Sequence, residues 1–362
     1  MRAALLREVP GELHIEELQI DKPGPREVLI RTAAAGLCHS DLHFMEGKYP
    51  APVPVAMGHE SAGVVEAVGD HVTYVQPGDH VITCLSIYCG NCEQCLTGHL
   101  SLCANRAAVQ RPLDGTPRLT RDDTPVHQFA DLASFSEQLL VHEHAVVKIT
   151  KDIPLDRAAL IGCGVTTGLG AVFNTAKVRP GETVVVIGAG GIGLNCIQGA
   201  RIAGAGRIIA VDRVELKLKM AEQFGATDLV DASAGDPVLQ VQERSSGGVH
   251  HAFEAIGLKE TAQQAFAMLG RGGTATVIGM IPFGQTVEIP GFELLSEKKL
   301  QGSNMGSNRF RVDMPRFVDL YLQGRLKLDE LVSARIGLDE INEGFEAMKG
   351  GEVARSVVVF DS

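Results

Sequence analysis

The sequence predicts a two-domain α/β protein: a β-rich domain and a domain built on a doubly wound parallel sheet. Up to about residue 150 the chain is rich in glycine, proline and short β-branched runs, which is typical of short strands joined by turns. From about residue 155, apolar strand-like runs alternate with helical stretches, and this alternation indicates a parallel sheet with crossover helices. With 362 residues, of which 45% are hydrophobic, the chain can fill two domain cores.

The individual elements follow this division. The first part contains strand patterns at Glu27–Arg31, Gly63–Val68 and His80–Thr83. The second part alternates strands and helices at Glu182–Ile187, Gly191–Ala203, Arg207–Val211, Glu215–Phe224, His250–Glu254, Glu260–Leu269 and Thr274–Ile278. After about residue 305 a helix at Asn342–Met348 precedes a strand at Ser356–Phe360. We expect that last strand to join the first domain, so that residues 1–164 and 305–362 form one domain and residues 165–304 the other.

Charge and terminal sequence restrict the class of protein. The formal net charge of −11 argues against nucleic acid or an anionic membrane as a partner. The first residues, Met1–Arg7, lack the long apolar core of a signal peptide. The longest nearly apolar stretch, Val184–Leu194, is broken by glycines and is too short to span a bilayer. We therefore expect a cytoplasmic protein whose cysteines stay reduced.

Four of the eight cysteines lie close together in the sequence. They are Cys89, Cys92, Cys95 and Cys103. Four thiolates at such spacing can surround one tetrahedral Zn²⁺, and a four-cysteine shell leaves no open position for chemistry. The spacing predicts a structural zinc site, which a reducing compartment favours over the alternative of two disulfides.

A second, scattered set has one ligand fewer. It consists of Cys38, His59 within Gly58-His59-Glu60, and Cys163 within Gly162-Cys163-Gly164. Two thiolates and one imidazole leave the fourth position of a tetrahedral zinc free, as a catalytic zinc requires. Each of these residues alone would more often be a core residue, but the set predicts a catalytic zinc. Cys84 and Cys196 have no ligand partners by spacing, so we interpret them as small buried hydrophobes.

A dinucleotide fingerprint follows the strand that ends at Ile187. Its glycines are Gly188, Gly190, Gly191 and Gly193. They let the backbone turn tightly and approach a pyrophosphate at the N-terminus of the next helix. Asp212 ends the following strand, where a carboxylate accepts from the ribose 2′-hydroxyl and repels a 2′-phosphate. This favours NAD, although the neighbouring Arg213 leaves NADP open.

Together these motifs resemble the medium-chain zinc-dependent alcohol dehydrogenases over essentially the whole chain. The loop from Cys103 to Phe135 is similar to that of the dimeric, long-loop branch, which includes class I and class III alcohol dehydrogenases. The resemblance implies a GroES-like catalytic domain, a Rossmann coenzyme domain and an active site in the cleft between them. It also implies two zinc ions per chain, NAD as coenzyme, and a homodimer, with a tetramer as the alternative.

The resemblance assigns roles around the catalytic zinc. Cys38, His59 and Cys163 would hold the metal. Asp41 would orient His59 from behind, as outer carboxylates do at zinc sites. Glu60 would lie behind the metal as a transient ligand.

The resemblance also assigns the proton path and the coenzyme contacts. Ser40 would accept a hydrogen bond from the zinc-bound alcohol and relay its proton, and His43 would pass the proton to solvent. The coenzyme contacts would be His39 and Arg355 at the pyrophosphate, Asp212 and Lys217 at the adenosine ribose, Ser303 and Met305 at the carboxamide, and Thr167.

The implied function is reversible hydride transfer between nicotinamide C4 and a primary or secondary alcohol held at the zinc, or an aldehyde or ketone in reverse. Ser40, smaller than threonine, leaves room for bulky alcohols. One alternative is glutathione-dependent formaldehyde dehydrogenase, which the segments Asp114–Arg118 and Phe135–Gln138 resemble but from which His43 departs. Further alternatives are an aldehyde or ketone reductase of the same fold and a non-catalytic relative.

Overall fold

A computed structural model describes residues 1–112, 115–351 and 354–360 of the chain, so Asp114 of the segment named above lies outside the described residues. The chain divides into two compact units. One consists of Met1–Cys163 with Arg309–Ser362, and the other of Gly164–Asn308.

The secondary-structure elements are numbered along the chain. The strands are β1 (Arg2–Leu6), β2 (Leu13–Glu17), β3 (Gln19–Ile20), β4 (Glu27–Gly36), β5 (Val55–Ala56), β6 (Ser61–Val68), β7 (His80–Thr83), β8 (Leu119–Arg121), β9 (Thr124–Pro125), β10 (His127–Gln128), β11 (Gln138–His142), β12 (Val146–Ile149), β13 (Thr183–Ile187), β14 (Arg207–Asp212), β15 (Asp228–Asp231), β16 (Val249–Glu254), β17 (Leu269–Val277), β18 (Lys299–Gly302), β19 (Val332–Ile336) and β20 (Arg355–Val359). The α-helices are α1 (His39–Met45), α2 (Glu93–Leu96), α3 (Leu155–Leu160), α4 (Thr166–Gly170), α5 (Gly191–Ala203), α6 (Glu215–Phe224), α7 (Pro237–Arg244), α8 (Lys259–Ala267), α9 (Phe310–Leu322) and α10 (Ile341–Gly350). The π-helical segments are Ile161–Val165 and Ala171–Ala176. The 3-10 helices are Leu100–Leu102, Arg106–Val109, Phe129–Asp131, Glu143–Ala145, Gly291–Ser296, Met305–Ser307, Asp329–Leu331 and Leu338–Glu340.

The first unit is β-rich. Its largest sheet has the strand order β12-β7-β6-β4-β20-β19, with β11 also paired to β4. The C-terminal strand β20 runs antiparallel to β4 and pairs with residues 34–36, which end two residues before Cys38. Two smaller sheets, β10-β5-β1-β2 and β3-β8-β9, complete the unit. A buried core that includes Leu37, Met57, Phe135 and Phe345 packs against the segments that carry Cys38 and His59.

The second unit is a six-stranded parallel sheet with the order β15-β14-β13-β16-β17-β18. Counted from the first strand of this unit, the order is 3-2-1-4-5-6, which reverses between β13 and β16. Short apolar strands fill the centre because both faces of a parallel sheet are covered by helices. The core on one face includes Val185, Ile209, Phe266 and Leu269. The predicted α/β class, with a β-rich part and a doubly wound parallel sheet, is therefore confirmed.

One helical stretch was overlooked in the sequence. Leu155–Ala176 is long and apolar enough to cross a membrane, and 83% of its most apolar window is buried inside the protein. Such burial is typical of a core helix, and one stretch of this kind is weak evidence for a membrane span.

The sequence alternation around residues 142 to 144 predicts two solvent-facing histidines, and this prediction is wrong. His142 is buried, with an exposed fraction of 8%. Its Nδ1 accepts a hydrogen bond from the His144 backbone amide at 3.0 Å. The His144 ring stacks on Tyr88 with centroids 4.5 Å apart, and its Nδ1–H donates to the Tyr88 carbonyl at 2.7 Å. Both imidazoles are thus part of the packing around Tyr88, which precedes the first cysteine of the four-cysteine cluster.

His142 should make the protein less stable in acid. Burial, with His144 and nearby arginines, lowers the pKa of His142 to about 4, below the value of about 6.5 of an unfolded chain. Between these values the unfolded state binds more protons, so stability falls as the pH falls from about 6.5 to 4. We expect His142→Gln, which keeps an acceptor but does not titrate, to lose less thermal stability than the wild type between pH 7.5 and 5.5. Equal losses in the two proteins would contradict the prediction.

Candidate active site

Four potential metal ligands from distant parts of the first unit meet in the interior. One donor atom each of Cys38, His59, Glu60 and Cys163 lies within 4.8 Å of the others, and all four side chains are buried. Cys38 is the N-cap of α1, His59 and Glu60 directly precede β6, and Cys163 lies in the π-helical segment Ile161–Val165. π-Helical turns are rare in helices and are frequent at functional sites.

Two glycines allow these segments to approach each other. Gly58, with φ +93°, would place a Cβ 2.5 Å from the backbone nitrogen of Phe135, so a side chain is excluded next to His59. Gly162 would place one 2.9 Å from the carbonyl oxygen of Thr83, where the π-helical segment packs on the end of β7. A side chain at either position would displace the adjacent ligand.

Asp41 sets the proton position on His59. The buried Asp41 Oδ1 lies 3.0 Å from His59 Nδ1, and accepting the Nδ1–H leaves the Nε2 lone pair available to a metal. Asp41 Oδ2 has no hydrogen-bond partner among the described residues. Burial raises the pKa of Asp41, and the interaction with His59 acts against that rise.

Removing this carboxylate should weaken metal binding. We expect Asp41→Ala to reduce zinc affinity at this site by about 10–100-fold, because the imidazole loses the partner that fixes its tautomer and orientation. Competition with a chromophoric chelator would measure the affinity. The four-cysteine site of the same variant is an internal control, and its zinc should exchange as in the wild type. An unchanged affinity at both sites would contradict the role of Asp41.

The charges around the cluster favour an anionic sulfur. A hydrogen bond from the Cys163 thiol, together with His59 and Arg355, holds the pKa of Cys38 well below its usual range despite burial. The Arg355 guanidinium is buried, donates to the Leu37 carbonyl at 2.8 Å and pairs with Glu60 at 3.5 Å. A buried guanidinium and an imidazole beside a sulfur favour its thiolate form, which is the form that binds a metal. The contacts described for Arg355 are with this cluster, and its predicted contact with the pyrophosphate stays a prediction.

Helix α1 carries the residues of the predicted proton path. Ser40 Oγ lies 3.7 Å from Cys38 Sγ. His43 is half-buried one turn further on, and its Nδ1 has no hydrogen-bond partner among the described residues. Burial, followed by the charge of Lys48, lowers the pKa of His43. His39 is exposed at the start of the helix.

Sequence reasoning missed an aromatic wall beside the metal ligands. The ring of Phe129 packs edge-on against His59, with centroids 5.7 Å apart. Phe44 contacts Phe129 at 4.8 Å, and Tyr49 contacts both Phe44 and His43. Phe129 lies in the long loop after Cys103, and no spacing rule connects it to His59. An isolated phenylalanine in a loop gives no signal of this contact in one sequence.

The second cluster is formed by the four closely spaced cysteines. Their sulfurs lie within 4.8 Å of one another, with Cys92 Sγ 3.4 Å from Cys95 Sγ and 4.0 Å from Cys103 Sγ. Sulfurs bonded tetrahedrally to zinc at ~2.3 Å stand ~3.8 Å apart, so the spacing fits the metal. All eight cysteines are free thiols, which excludes the two-disulfide alternative in this structure. Burial raises the pKa of Cys84 to about 11, as expected for an inert thiol.

In the second unit, three of the four glycines of the fingerprint have distinct physical roles. Gly188 has φ +93°, and a Cβ there would lie 2.5 Å from the Ile256 side chain. Gly193 packs so closely that a Cβ would lie 1.7 Å from the Gly188 carbonyl oxygen. Gly190, which precedes the first residue of α5, faces open space. A tight turn, close helix packing and free access at the helix N-terminus are what a dinucleotide pyrophosphate needs.

Asp212 also holds the glycine-rich loop. One carboxylate oxygen accepts from the Ala189 amide at 2.8 Å, and the other accepts from the amides of Arg213 and Val214. A carboxylate has about four lone-pair positions, so one acceptor position remains for a ribose hydroxyl. Lys217 is partly buried in the first turn of α6.

Ser303 and Met305, the residues predicted to contact the carboxamide of the coenzyme, lie in a segment that contacts Thr167 and Thr175 of the helical stretch Leu155–Ala176. Thr175 Oγ1 lies 2.9 Å from Ser303 Oγ and 2.8 Å from Ser307 Oγ, and Thr167 Oγ1 lies 3.4 Å from the sulfur of Met305. Met305 and Ser307 have φ values of +50° and +47°. Non-glycine residues in this conformation cost free energy and concentrate at functional sites.

Comparison with known proteins identifies the family of the chain. A family described as "Alcohol dehydrogenase GroES-like domain" matches residues 24–151, and "Zinc-binding dehydrogenase" matches residues 191–322. The chain is 40% identical to a class-3 alcohol dehydrogenase of Cereibacter sphaeroides, over 99% of both chains. It is 39% identical to an S-(hydroxymethyl)glutathione dehydrogenase of Paracoccus denitrificans, also over 99% of both.

Solved structures match the fold over nearly the whole chain. The benzyl alcohol dehydrogenase of Acinetobacter calcoaceticus superposes with a TM-score of 0.94 at 35% identity, over 99% of both chains. A zinc-binding dehydrogenase of Sinorhizobium meliloti bound to NADP superposes with a TM-score of 0.82 at 29% identity, also over 99% of both. The first unit thus contains a GroES-like domain and the second a Rossmann-like domain. The chain belongs to the medium-chain, zinc-dependent alcohol dehydrogenases.

Proposed function

We propose that the protein is an NAD-linked dehydrogenase of primary or secondary alcohols, working reversibly on the corresponding aldehydes or ketones. The observation that carries the proposal is the buried set of Cys38, His59 and Cys163, which supplies three ligands of the types that a catalytic zinc takes. Four sulfurs fill a tetrahedral site, whereas these three ligands leave a fourth position, which Glu60, as a transient ligand, yields to a substrate oxygen.

The proposed reaction requires activation of the alcohol, transfer of a hydride and removal of a proton. When bound, zinc lowers the pKa of an alcohol and polarises a carbonyl, and NAD accepts the hydride. Ser40 Oγ lies 3.7 Å from Cys38 Sγ, and this proximity supports its role as the first acceptor of a hydrogen bond from the bound alcohol. His43 has a free Nδ1 among the described residues and a lowered pKa, which suit it to accept that proton and release it to solvent.

The remaining assignments belong to the same proposal. Cys38, His59 and Cys163 hold the catalytic zinc, with Asp41 orienting His59 and Glu60 behind the metal. The structural zinc ligands are Cys89, Cys92, Cys95 and Cys103. The coenzyme contacts are His39, Thr167, Gly188, Gly190, Gly191, Gly193, Asp212, Lys217, Ser303, Met305 and Arg355. The functional domains are residues 1–164 with 305–362 and residues 165–304.

The preference for NAD rests on Asp212. A 2′-phosphate would stand beside a carboxylate, and Arg213 alone would have to offset that repulsion. Because a relative of known structure binds NADP, the two coenzymes have to be compared directly in the protein itself.

A substrate panel tests the function. Purified protein with two bound zinc ions would be assayed with NAD⁺ and NADP⁺ against short, long, aromatic and secondary alcohols. We expect strong turnover of one alcohol class with NAD⁺ and weaker turnover with NADP⁺. No turnover in either direction, with alcohols or with the matching carbonyls and NADH, would overturn the proposal.

A second candidate is glutathione-dependent formaldehyde oxidation. Its support is the similarity to an enzyme named S-(hydroxymethyl)glutathione dehydrogenase. The panel separates the two functions, because this activity requires formaldehyde and glutathione together. Turnover with that mixture that exceeds turnover of every simple alcohol would favour the second candidate.

We also propose that the protein is a cytoplasmic homodimer. The segment from residue 283 to 295 exposes Phe283, Phe292 and Leu295 to 89%, 83% and 79%. Large exposed apolar side chains mark association sites, and β18, at the edge of the six-stranded sheet, is next in the chain. Light scattering of the purified protein should give twice the 38.5 kDa chain mass. A monomer at micromolar concentration would contradict the dimer, and four copies would support the tetramer.

A further inference from the structure

Glu254 is a buried carboxylate in the coenzyme unit with no role in the reaction described above. It is the last residue of β16 and has an exposed fraction of 0%. Its Oε1 accepts three hydrogen bonds, from the Ile256 amide at 2.9 Å, the Gly257 amide at 2.8 Å and the Thr261 hydroxyl at 2.7 Å. The buried side chain of Glu254 therefore stabilises the turn that follows β16.

This turn packs directly against the dinucleotide fingerprint. The Ile256 side chain occupies the space beside Gly188, where a Cβ would stand 2.5 Å from it. The amide of Ala255 donates to the carbonyl of Ile187, the last residue before Gly188. The path of residues 255–257 therefore fixes one side of the glycine-rich loop.

The other side of the turn is equally close to the sheet. Gly257 has φ +93°, and a Cβ there would lie 2.7 Å from the Met280 carbonyl oxygen. A Cβ on Gly279 would lie 2.1 Å from the Gly257 nitrogen and 2.6 Å from Glu254 Oε2. The turn is thus confined between the ends of β13 and β17, and the Glu254 carboxylate is packed against Gly279.

The position of the turn is functionally informative. It follows β16, which neighbours β13 where the strand order reverses, and nucleotides bind at the carboxyl ends of the strands at such a point. Without the carboxylate, the Ile256 and Gly257 amides would lose their acceptor, and the turn would be held only by the Ala255 hydrogen bond and by its packing against Gly188 and Gly279.

We propose that Glu254 is a positioning residue for the dinucleotide: it fixes the turn 255–257, which supports the glycine-rich loop from one side and forms the adjoining wall of the coenzyme site. The inference rests on the proposed function, since it takes the nicotinamide dinucleotide as the ligand of this site. Glu254 contacts the turn and acts on the coenzyme through it.

The test compares Glu254→Ala, Glu254→Gln and Val241→Ala in the zinc-loaded protein. Glutamine keeps an acceptor oxygen, whereas alanine removes it. Val241 is fully buried in the core of the same unit, so Val241→Ala is a control for loss of stability alone. Kd for NADH would be measured by fluorescence titration below the unfolding temperature of every variant. Hydrogen exchange of the Ile256 and Gly257 amides would be measured without coenzyme.

We expect Glu254→Ala to raise Kd for NADH at least tenfold and to expose both amides to exchange. Glu254→Gln should stay within about threefold of the wild type, and Val241→Ala should lower the unfolding temperature without changing Kd. At saturating NAD⁺, the KM for the alcohol should be unchanged in all three variants. An unchanged Kd in Glu254→Ala, or the same rise in Val241→Ala at a similar loss of stability, would overturn the proposal while leaving the function intact. Failure of the wild type to bind NADH or NADPH would instead overturn the proposed function.

Discussion

Replacement of Cys163 by alanine is expected to abolish alcohol oxidation and to remove one of two zinc ions. Cys163 is one of two sulfurs in the buried set, and its loss leaves Cys38 and His59 as an incomplete shell. The bound metal contributes several kcal/mol to transition-state stabilisation, so we expect kcat/KM to fall by about 10³-fold or more. Zinc content by atomic emission, together with NADH formation, measures both effects.

Cys84→Ala is the matched control for this change. Cys84 is also a fully buried cysteine of the first unit, but it belongs to neither metal cluster. We expect it to keep two zinc ions, to retain most activity and to lose only modest stability. Turnover near the wild-type rate in Cys163→Ala would refute the catalytic assignment.

Replacement of Cys95 by alanine should have the opposite pattern, with the largest effect on stability. Cys95 is the most buried member of the four-cysteine cluster, and its sulfur is close to those of Cys89 and Cys92. Structural zinc supplies folding free energy, about 10–16 kcal/mol in isolated zinc-finger peptides. The region from Cys89 to Cys103 has only short helices to hold it, so we expect it to unfold locally when its metal is lost.

Limited proteolysis and thermal unfolding would detect this change. We expect Cys95→Ala to bind one zinc ion, to be cleaved between residues 89 and 103, and to unfold at least 10 °C below the wild type, roughly the effect of several kcal/mol in a chain of this size. Cys163→Ala, which also loses one zinc ion, is the control for metal loss as such and should resist cleavage there. If both variants lose stability equally, the distinction between a structural and a catalytic site is wrong.

The sequence predicted well those features that depend on neighbouring residues. The fingerprint strand, α5 and α6 lie at or within one residue of their predicted ends, because hydrophobic periodicity and glycine punctuation are local signals. The cysteine spacing of residues 89 to 103 predicted a cluster that the structure brings together. Other elements were not predicted, because the hydrophobic patterns of α7, β15 and α9 are weak or mixed. Strand β4 was predicted too short, since it extends to Gly36, five residues beyond its predicted end.

Motifs and their resemblance to one family were enough to determine the family, the fold class, the two candidate metal sets and the glycine-rich loop. The tertiary structure decided what depends on distant segments meeting in space. It buried Arg355 beside Glu60, packed Phe129 against His59, turned His142 inward and made Glu254 the acceptor for a turn beside Gly188. The two residues of each contact are either far apart in the chain or joined by a hydrogen bond to a backbone amide, and neither kind of contact produces a sequence pattern. Single-residue patterns record the chemistry of a side chain and its local spacing, whereas burial and hydrogen-bond partners are properties of the packed chain.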